Sequence, residues 1–326
     1  MKKVLIAILL LGLLPHASAD YIHWVDFRLS APVLRSALEL DMASQGGEQP
    51  LDWIDILALA AAWRGGTGVT VADTQRAAQA LRGDTPPERL PGMAGRCFSY
   101  YRAAYGAALG GLVGHFAIRR TDPQTGEAEW IPAYGLKAFS PIAAGYPWSH
   151  YPDFGAQRSY GYARPHLGND ILGALGTPIC AVEGGTVEAL GWNRYGGWRI
   201  GIRSDDRKRY YYYAHLRKDT PYAEGLAVGQ RVQAGDVIGF MGRTGYSAQE
   251  NVNNIVTVHL HFGLQLIFDE SQKECDSEIW IDVYPIIELL ASHCSSVARD
   301  PQTGRWERLY PYCDLDAEPL RSAAAR

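Results

Sequence analysis

Apolar positions along the chain change their rhythm twice. From residue 20 to about 90 they recur at helical spacing. Ser30 stands where it can cap a segment containing Leu34, Ala37, Leu38 and Met42, and Trp53 to Trp63 is apolar before Gly65-Gly66 stops it. Thr70 can cap a third helix that ends near Gly83. Pro86-Pro87 and Pro91-Gly92 then break the pattern and predict a linker. A small α-helical N-terminal domain over residues 20–92 follows, with no catalytic cluster among its residues, so its predicted role is packing or positioning.

From Phe98 to about Ala144 a helix-like stretch rich in Ala, Tyr and Gly gives way to strand-like pieces, His115 to Arg119 and Ala128 to Tyr134, separated by Asp122-Pro123. This predicts a connector over residues 93–144. Beyond it the period shortens to that of strands. Thr177–Val182, Gly185–Trp192, Trp198–Arg203, Arg209–His215, Val237–Met241 and Val258–Ile267 are short β-rich runs punctuated by glycine. A mainly antiparallel β domain over residues 145–270 is expected, which makes the chain multidomain and α+β. In the last part, residues 271–326, Val283, Ile286, Ile287 and Leu290 return to helical spacing and predict one amphipathic helix before a polar tail.

Composition narrows the class. Apolar residues at 47% and charged residues at 20% suit a globular chain rather than a disordered one. With a net charge of -4 and no Lys/Arg cluster, the chain offers no field for phosphates, and nucleic acid is not an expected partner. Lys2 and Lys3, the apolar run Val4 to Leu14, Pro15 and the small triplet Ala17-Ser18-Ala19 have the three-part pattern of a signal peptide, residues 1–19. Its apolar core is well short of the roughly 20 residues that span a bilayer, so export with cleavage after Ala19 is expected, with no stable membrane span left behind. Five cysteines, at 97, 180, 275, 294 and 313, cannot all pair within one chain, and their spacing fits no zinc-binding C-x-x-C pattern. Cys180, inside Pro178-Ile179-Cys180-Ala181-Val182, reads as a small buried hydrophobe.

The histidines carry the candidate chemistry. His166-Leu167-Gly168-Asn169-Asp170 sets an imidazole and a carboxylate four residues apart around a glycine, which lets the backbone turn both toward one point. In His259-Leu260-His261-Phe262 the strand period sends both histidines to one face and Val258, Leu260 and Phe262 to the other. On that motif alone, a solvent-facing strand surface is an equally good reading. Catalytic zinc takes three protein ligands and keeps one position for water; His166, Asp170 and one histidine of the pair supply that number. No H-E-x-x-H occurs, so proton handling falls to the remaining histidines. In Tyr210 to Tyr213 alternation predicts Tyr211 and Tyr213 on the face of His215, with Tyr210 and Tyr212 opposite.

H-x-G-x-D, then Tyr213-Ala214-His215-Leu216, then the glycine-punctuated segment Val228 to Gly239, then His259-Leu260-His261-Phe262, in this order, resembles the lysostaphin/LytM family of zinc endopeptidases over roughly residues 160–268. The resemblance implies a catalytic domain of the duplicated hybrid motif type, with His166, Asp170 and His261 as ligands of one Zn2+ and His215 and His259 as the catalytic pair. It further implies a secreted metalloendopeptidase that cuts peptide cross-links of peptidoglycan. Two departures lie beside the expected groove: a longer segment, Ala248 to Val258, before the H-x-H strand, and Gly263 where family strands often carry glutamate. Two other classes compete. An inactive envelope protein of the same fold that binds or activates a cell-wall hydrolase would typically have lost ligands, and none is lost here. A phosphotransfer or carrier domain lacks its Met-Lys-Met turn.

Overall fold

The N-terminal helices form where the chain supplies their ends. Helix α1, Ala31–Ser44, starts after Ser30, although the Ser30 hydroxyl makes no capping bond; Leu34, Ala37 and Leu38 are buried, while Met42 is exposed. Helix α2, Trp53–Arg64, is capped by Asp52, whose carboxylate accepts from the Ile54 amide at 2.6 Å, and it stops at Gly65 in the left-handed conformation. Because α2 is apolar all round, it takes the centre of the bundle, with Ile56 to Ala62 fully buried. Helix α3, Val71–Leu81, opens on a reciprocal Thr70/Asp73 capping box. The Pro86–Gly92 stretch holds a single 3-10 turn and leads into α4, Met93–Leu109, which packs along α2. This is the structure of a computed structural model, which describes residues 25–273 and 277–317. The expected signal peptide and Cys275 lie outside the described residues.

Strands Val113–Thr121 and Ala128–Leu136 form a hairpin, and Tyr312–Asp314 adds a third strand to it. The end of the chain is therefore not only a polar tail: a second hairpin, Val297–Arg299 with Trp306–Arg308, precedes this return. Such pairing over nearly 200 positions leaves no local periodicity to read.

The site rests on an antiparallel sheet. Its strands run Arg231–Val232, Gly185–Asn193, Gly197–Ser204, Arg209–Ala214, His259–Leu266, Asn169–Gly173 and Trp148–His150, in that spatial order, and Ile279–Trp280 also pairs with His259–Leu266. One face of this sheet is core: Ile200, Ile202, Tyr213, Leu260 and Phe262 are at most 1% exposed. A helix does form where helical spacing returned, α5, Tyr284–Leu290, but it has no exposed face: it buries Ile286, Ile287, Leu289 and Leu290 and packs against α1. Among the described residues the buried apolar side chains of helices and sheet form one continuous cluster, and no helix is long and apolar enough to cross a membrane.

Candidate metal centre

Alternation along His259–Leu266 buries Leu260 and Phe262 against the core and turns His259 and His261 to the opposite face. The neighbouring strand Asn169–Gly173 pairs in the register His261↔Asp170, so the H-x-H strand and the H-x-G-x-D segment meet directly. His166 arrives from the loop just before it. Three atoms converge: His166 Nε2 lies 2.8 Å from His261 Nδ1 and 3.0 Å from Asp170 Oδ1, and His261 Nδ1 lies 3.2 Å from the same oxygen. Among the described residues this is the group of His, Asp, Glu or Cys side chains placed to hold a metal.

Gly168 is needed here for space. It does not adopt a positive φ; a Cβ on it would stand 2.7 Å from His261 Cε1 and 2.7 Å from the Phe262 carbonyl oxygen. The glycine expected to turn the backbone instead lets the imidazole ring lie against it. Gly263 has a similar cause, because a Cβ there would meet the Trp280 ring at 2.8 Å. The aromatic ring of Trp280 occupies the space beside the strand at that position.

Outer groups hold the converging atoms. His166 Nδ1 is 3.1 Å from both the backbone carbonyl and the carboxylate of Asp153, neither of which can donate, so Nδ1 carries the hydrogen and Nε2 faces the centre. Arg158 donates to Asp153 Oδ2 at 3.0 Å and to Asp170 Oδ2 at 2.9 Å, bridging two supports of the site. Burial opposes charging His166, but Asp153 and Asp170 outweigh it and raise its pKa to about 9. Burial would likewise raise the Asp170 carboxyl; hydrogen bonds from His166 and His261 prevail and hold it far below the carboxylate range. For His261 burial prevails over Asp170 and lowers the pKa.

The other two histidines sit beside this group. His215 Nδ1 donates to the Thr244 carbonyl at 2.9 Å, and His259 Nδ1 to the Thr257 carbonyl at 2.9 Å, which leaves both Nε2 atoms as acceptors. Their ring centroids are 4.7 Å apart, and His259 Nε2 is 3.6 Å from Asp170 Oδ1. Burial first, then the neighbouring imidazoles, keeps His215 neutral well below its ordinary pKa. All five histidine and aspartate residues singled out from sequence are thus brought together.

The tyrosine run is placed opposite to expectation. Tyr211 stacks on Phe262 and donates to Glu183, and the Tyr213 hydroxyl accepts from the Val182 amide, so both lie in the core. Tyr210 and Tyr212 line the cleft. His215 misled the parity because it lies past the end of the strand at φ 62, where alternation no longer applies. Cys180 is buried as expected, and none of the four described cysteines is in a disulfide.

The centre opens into a cleft of about 450 Å³. Sequence reasoning missed Arg158, Arg199 and Trp280 on its wall, and Asp153 behind His166. Asp153 precedes His166 by 13 positions without any motif spacing, and only the fold brings the others to the rim.

Comparison with known proteins places residues 164–274 in agreement with peptidase family M23. The L-Ala–D-Glu endopeptidase of Bacillus subtilis (strain 168) is 35% identical over 177 residues, which cover 51% of this chain and 52% of that protein. The glycyl-glycine endopeptidase ALE-1 of Staphylococcus capitis is 38% identical over 98 residues, 30% of this chain and 24% of that protein. A solved LytM structure from Ruminococcus gnavus is similar at 25% identity with a TM-score of 0.48, covering 82% of this chain and 91% of that one. The chain thus spans about half the length of the first of these curated relatives and a quarter of the second.

Proposed function

Since residues 164–274 are a peptidase family M23 domain of the lysostaphin/LytM type, we propose that this protein is a zinc metalloendopeptidase that hydrolyses peptide cross-links of bacterial peptidoglycan. The observation that carries the reading is the convergence of His166 Nε2, His261 Nδ1 and Asp170 Oδ1 at 2.8 to 3.2 Å. Three lone-pair atoms so close must share a proton or a cation. Ligand atoms 2.0–2.1 Å from a tetrahedral zinc lie about 3.3 Å apart, a few tenths of an ångström wider than this. The donor set of two nitrogens and a carboxylate oxygen, with no thiolate, suits a hydrolytic zinc.

In this reading His166, Asp170 and His261 hold the ion, and Asp153 fixes the tautomer of His166. When bound, zinc lowers the pKa of water to about 7 and polarises a carbonyl oxygen. The Nε2 of His215 or His259 takes the proton from the attacking water as its oxygen bonds to the scissile carbonyl carbon. The protonated ring then donates to the tetrahedral oxyanion and passes its proton to the leaving amine as the C–N bond breaks. Both rings have the tautomer for this, since each Nδ1 hydrogen is already given to a carbonyl.

The duplicated hybrid motif fold, and export directed by residues 1–19, belong to the same proposal. A binding protein that has lost catalysis is not favoured, because no member of the five-residue set is missing. Digestion of purified peptidoglycans of different cross-link chemistry, with mass analysis of the fragments, tests the reading. Fragments are expected with zinc-loaded protein and not after chelation; a zinc-loaded protein that releases none from any wall would overturn it.

A further inference from the structure

Three arginines line the cleft, and their partners differ. Arg158 is neutralised by Asp153 and Asp170. Arg164 lies over the Tyr195 ring at 4.6 Å and near Tyr162 and Tyr246, and donates to the Tyr160 carbonyl; no carboxylate meets it among the described residues. Arg199, on the strand Gly197–Ser204, has no ion pair among the described residues, and its Nε is buried without a hydrogen-bond acceptor. Burying a charged donor without a partner is costly, and a fold seldom leaves such a group unless something else supplies the acceptor. Apart from Asp170, which the centre and Arg158 already engage, Glu278 is the carboxylate on the cleft wall, and it accepts from the Trp280 indole at 2.8 Å. Among the described residues the cleft therefore presents two guanidinium groups with no carboxylate partner.

We propose that Arg199, with Arg164 as the second cation of the cleft, binds a free carboxylate of the peptide substrate and makes this enzyme selective for an acidic peptide. A guanidinium fork matches a carboxylate in plane and charge, and carboxylates are the anions that a peptide carries. The strand Arg209–Ala214 lies between that of Arg199 and that of His261, through Tyr213↔Ile200 and Ala214↔His261. Two strand spacings make about 10 Å at the backbone, so the carboxylate belongs to a residue close to the scissile bond. A peptide of glycines has no such group along its length. Stem peptides do: a γ-linked glutamate keeps its α-carboxylate, and an acidic diamino acid or a terminal alanine supplies others.

The inference rests on the endopeptidase reading, so the test measures binding apart from cleavage. Stem peptides made uncleavable by N-methylation at the candidate scissile amides are titrated into zinc-loaded protein by calorimetry. Each carboxylate is amidated in turn, which identifies its source. One amidation should weaken binding about tenfold or more, the usual size of a charge-assisted hydrogen bond; R199Q should abolish that difference and R199K retain part of it. Melting temperature and zinc content check that R199Q is folded and loaded; should it not fold, the comparison of acid and amide forms on the unaltered protein decides alone. Equal binding of all forms by the unaltered protein, or a difference that survives in folded R199Q, overturns the proposal. Failure to cut the unmodified peptides counts against the endopeptidase reading and is scored separately.

Discussion

The His261 ring lies against Gly168, and the missing side chain there is what leaves room for it. A methyl group at residue 168 would stand 2.7 Å from the ring and from the Phe262 carbonyl, so Gly168→Ala is expected to shift His261 and weaken zinc affinity about 10- to 100-fold, comparable to losing an outer support. Competition with a chelator of known affinity measures this; unchanged affinity would mean the strand yields without moving the ring. Zinc binding and proton handling should also separate. His166→Ala, Asp170→Ala and His261→Ala are expected to lose zinc and activity together, whereas His215→Ala and His259→Ala should stay near stoichiometric in zinc and lose about 10²- to 10⁴-fold in rate. Metal analysis beside a cleavage assay distinguishes them, and loss of zinc from His259→Ala with retention in His261→Ala would reverse the roles within the pair. The two faces of the strand His259–Leu266 were legible because alternation is a property of neighbours in sequence. Asp153 and Arg158 were not legible, since each acts on a partner that only the sheet register and loop path bring near, and Arg199 was not, since only the sheet carries it to the cleft wall.

At the scale of elements, helices were readable where the chain carries their caps. Gly65 ends α2 and Thr70 opens α3, each by local chemistry. The strand Asn169–Gly173 was missed, although it contains Asp170, because its polar first residue is buried through bonds to Asp153 and His150 that no local pattern reveals, and Gly173 ends the run. The capping box of α3 gives an element-level prediction. Thr70 Oγ1 accepts from the Asp73 amide, while the Asp73 carboxylate accepts from the Thr70 amide at 2.9 Å and from Arg64 at 3.0 Å. Thr70→Ala should cost about 1 kcal/mol in denaturant unfolding. Burial tends to raise the Asp73 pKa, yet bonds from Arg64 and Thr70 prevail and lower it below 3.8. Asp73 therefore contributes stability that is present above its unfolded pKa and lost as pH falls through its lowered folded value. Acid unfolding of Asp73→Asn should accordingly show a smaller loss between neutral and acid pH than that of the parent; parallel curves would show that the carboxylate contributes nothing.

At the scale of the whole molecule, the linker at Pro86–Gly92 suggested from sequence that the helices are separable, and the packing gives reason to expect otherwise. Helix α4 begins just after that linker and lies along α2, burying Phe98, Ala104, Tyr105 and Ala108. Its other end reaches the sheet: Arg209, 1% exposed, pairs with Glu183 at 2.7 Å and donates to the carbonyls of Gly106 and Ala107. These acceptors are at the C-terminal end of α4, where the helix dipole favours a cation. A chain shortened to begin at Arg96 loses the first three residues of α4 and uncovers the α2 face of the rest. Full exposure of each large apolar side chain costs about 1.5–3 kcal/mol, so losing several consumes much of a typical stability of about 5–15 kcal/mol. The shortened chain is expected to be insoluble or to melt well below the full chain, and cleavage to fall with it. Arg209→Gln tests the junction without deleting anything: it leaves the buried Glu183 with the Tyr211 hydroxyl but without its cation, which should cost about 3–5 kcal/mol in denaturant unfolding while zinc still binds the folded protein. Should the Arg96 chain melt and cut like the parent, the sheet would be shown to hold its own core, and the contact of α4 with Arg209 would be one the catalytic part can forgo.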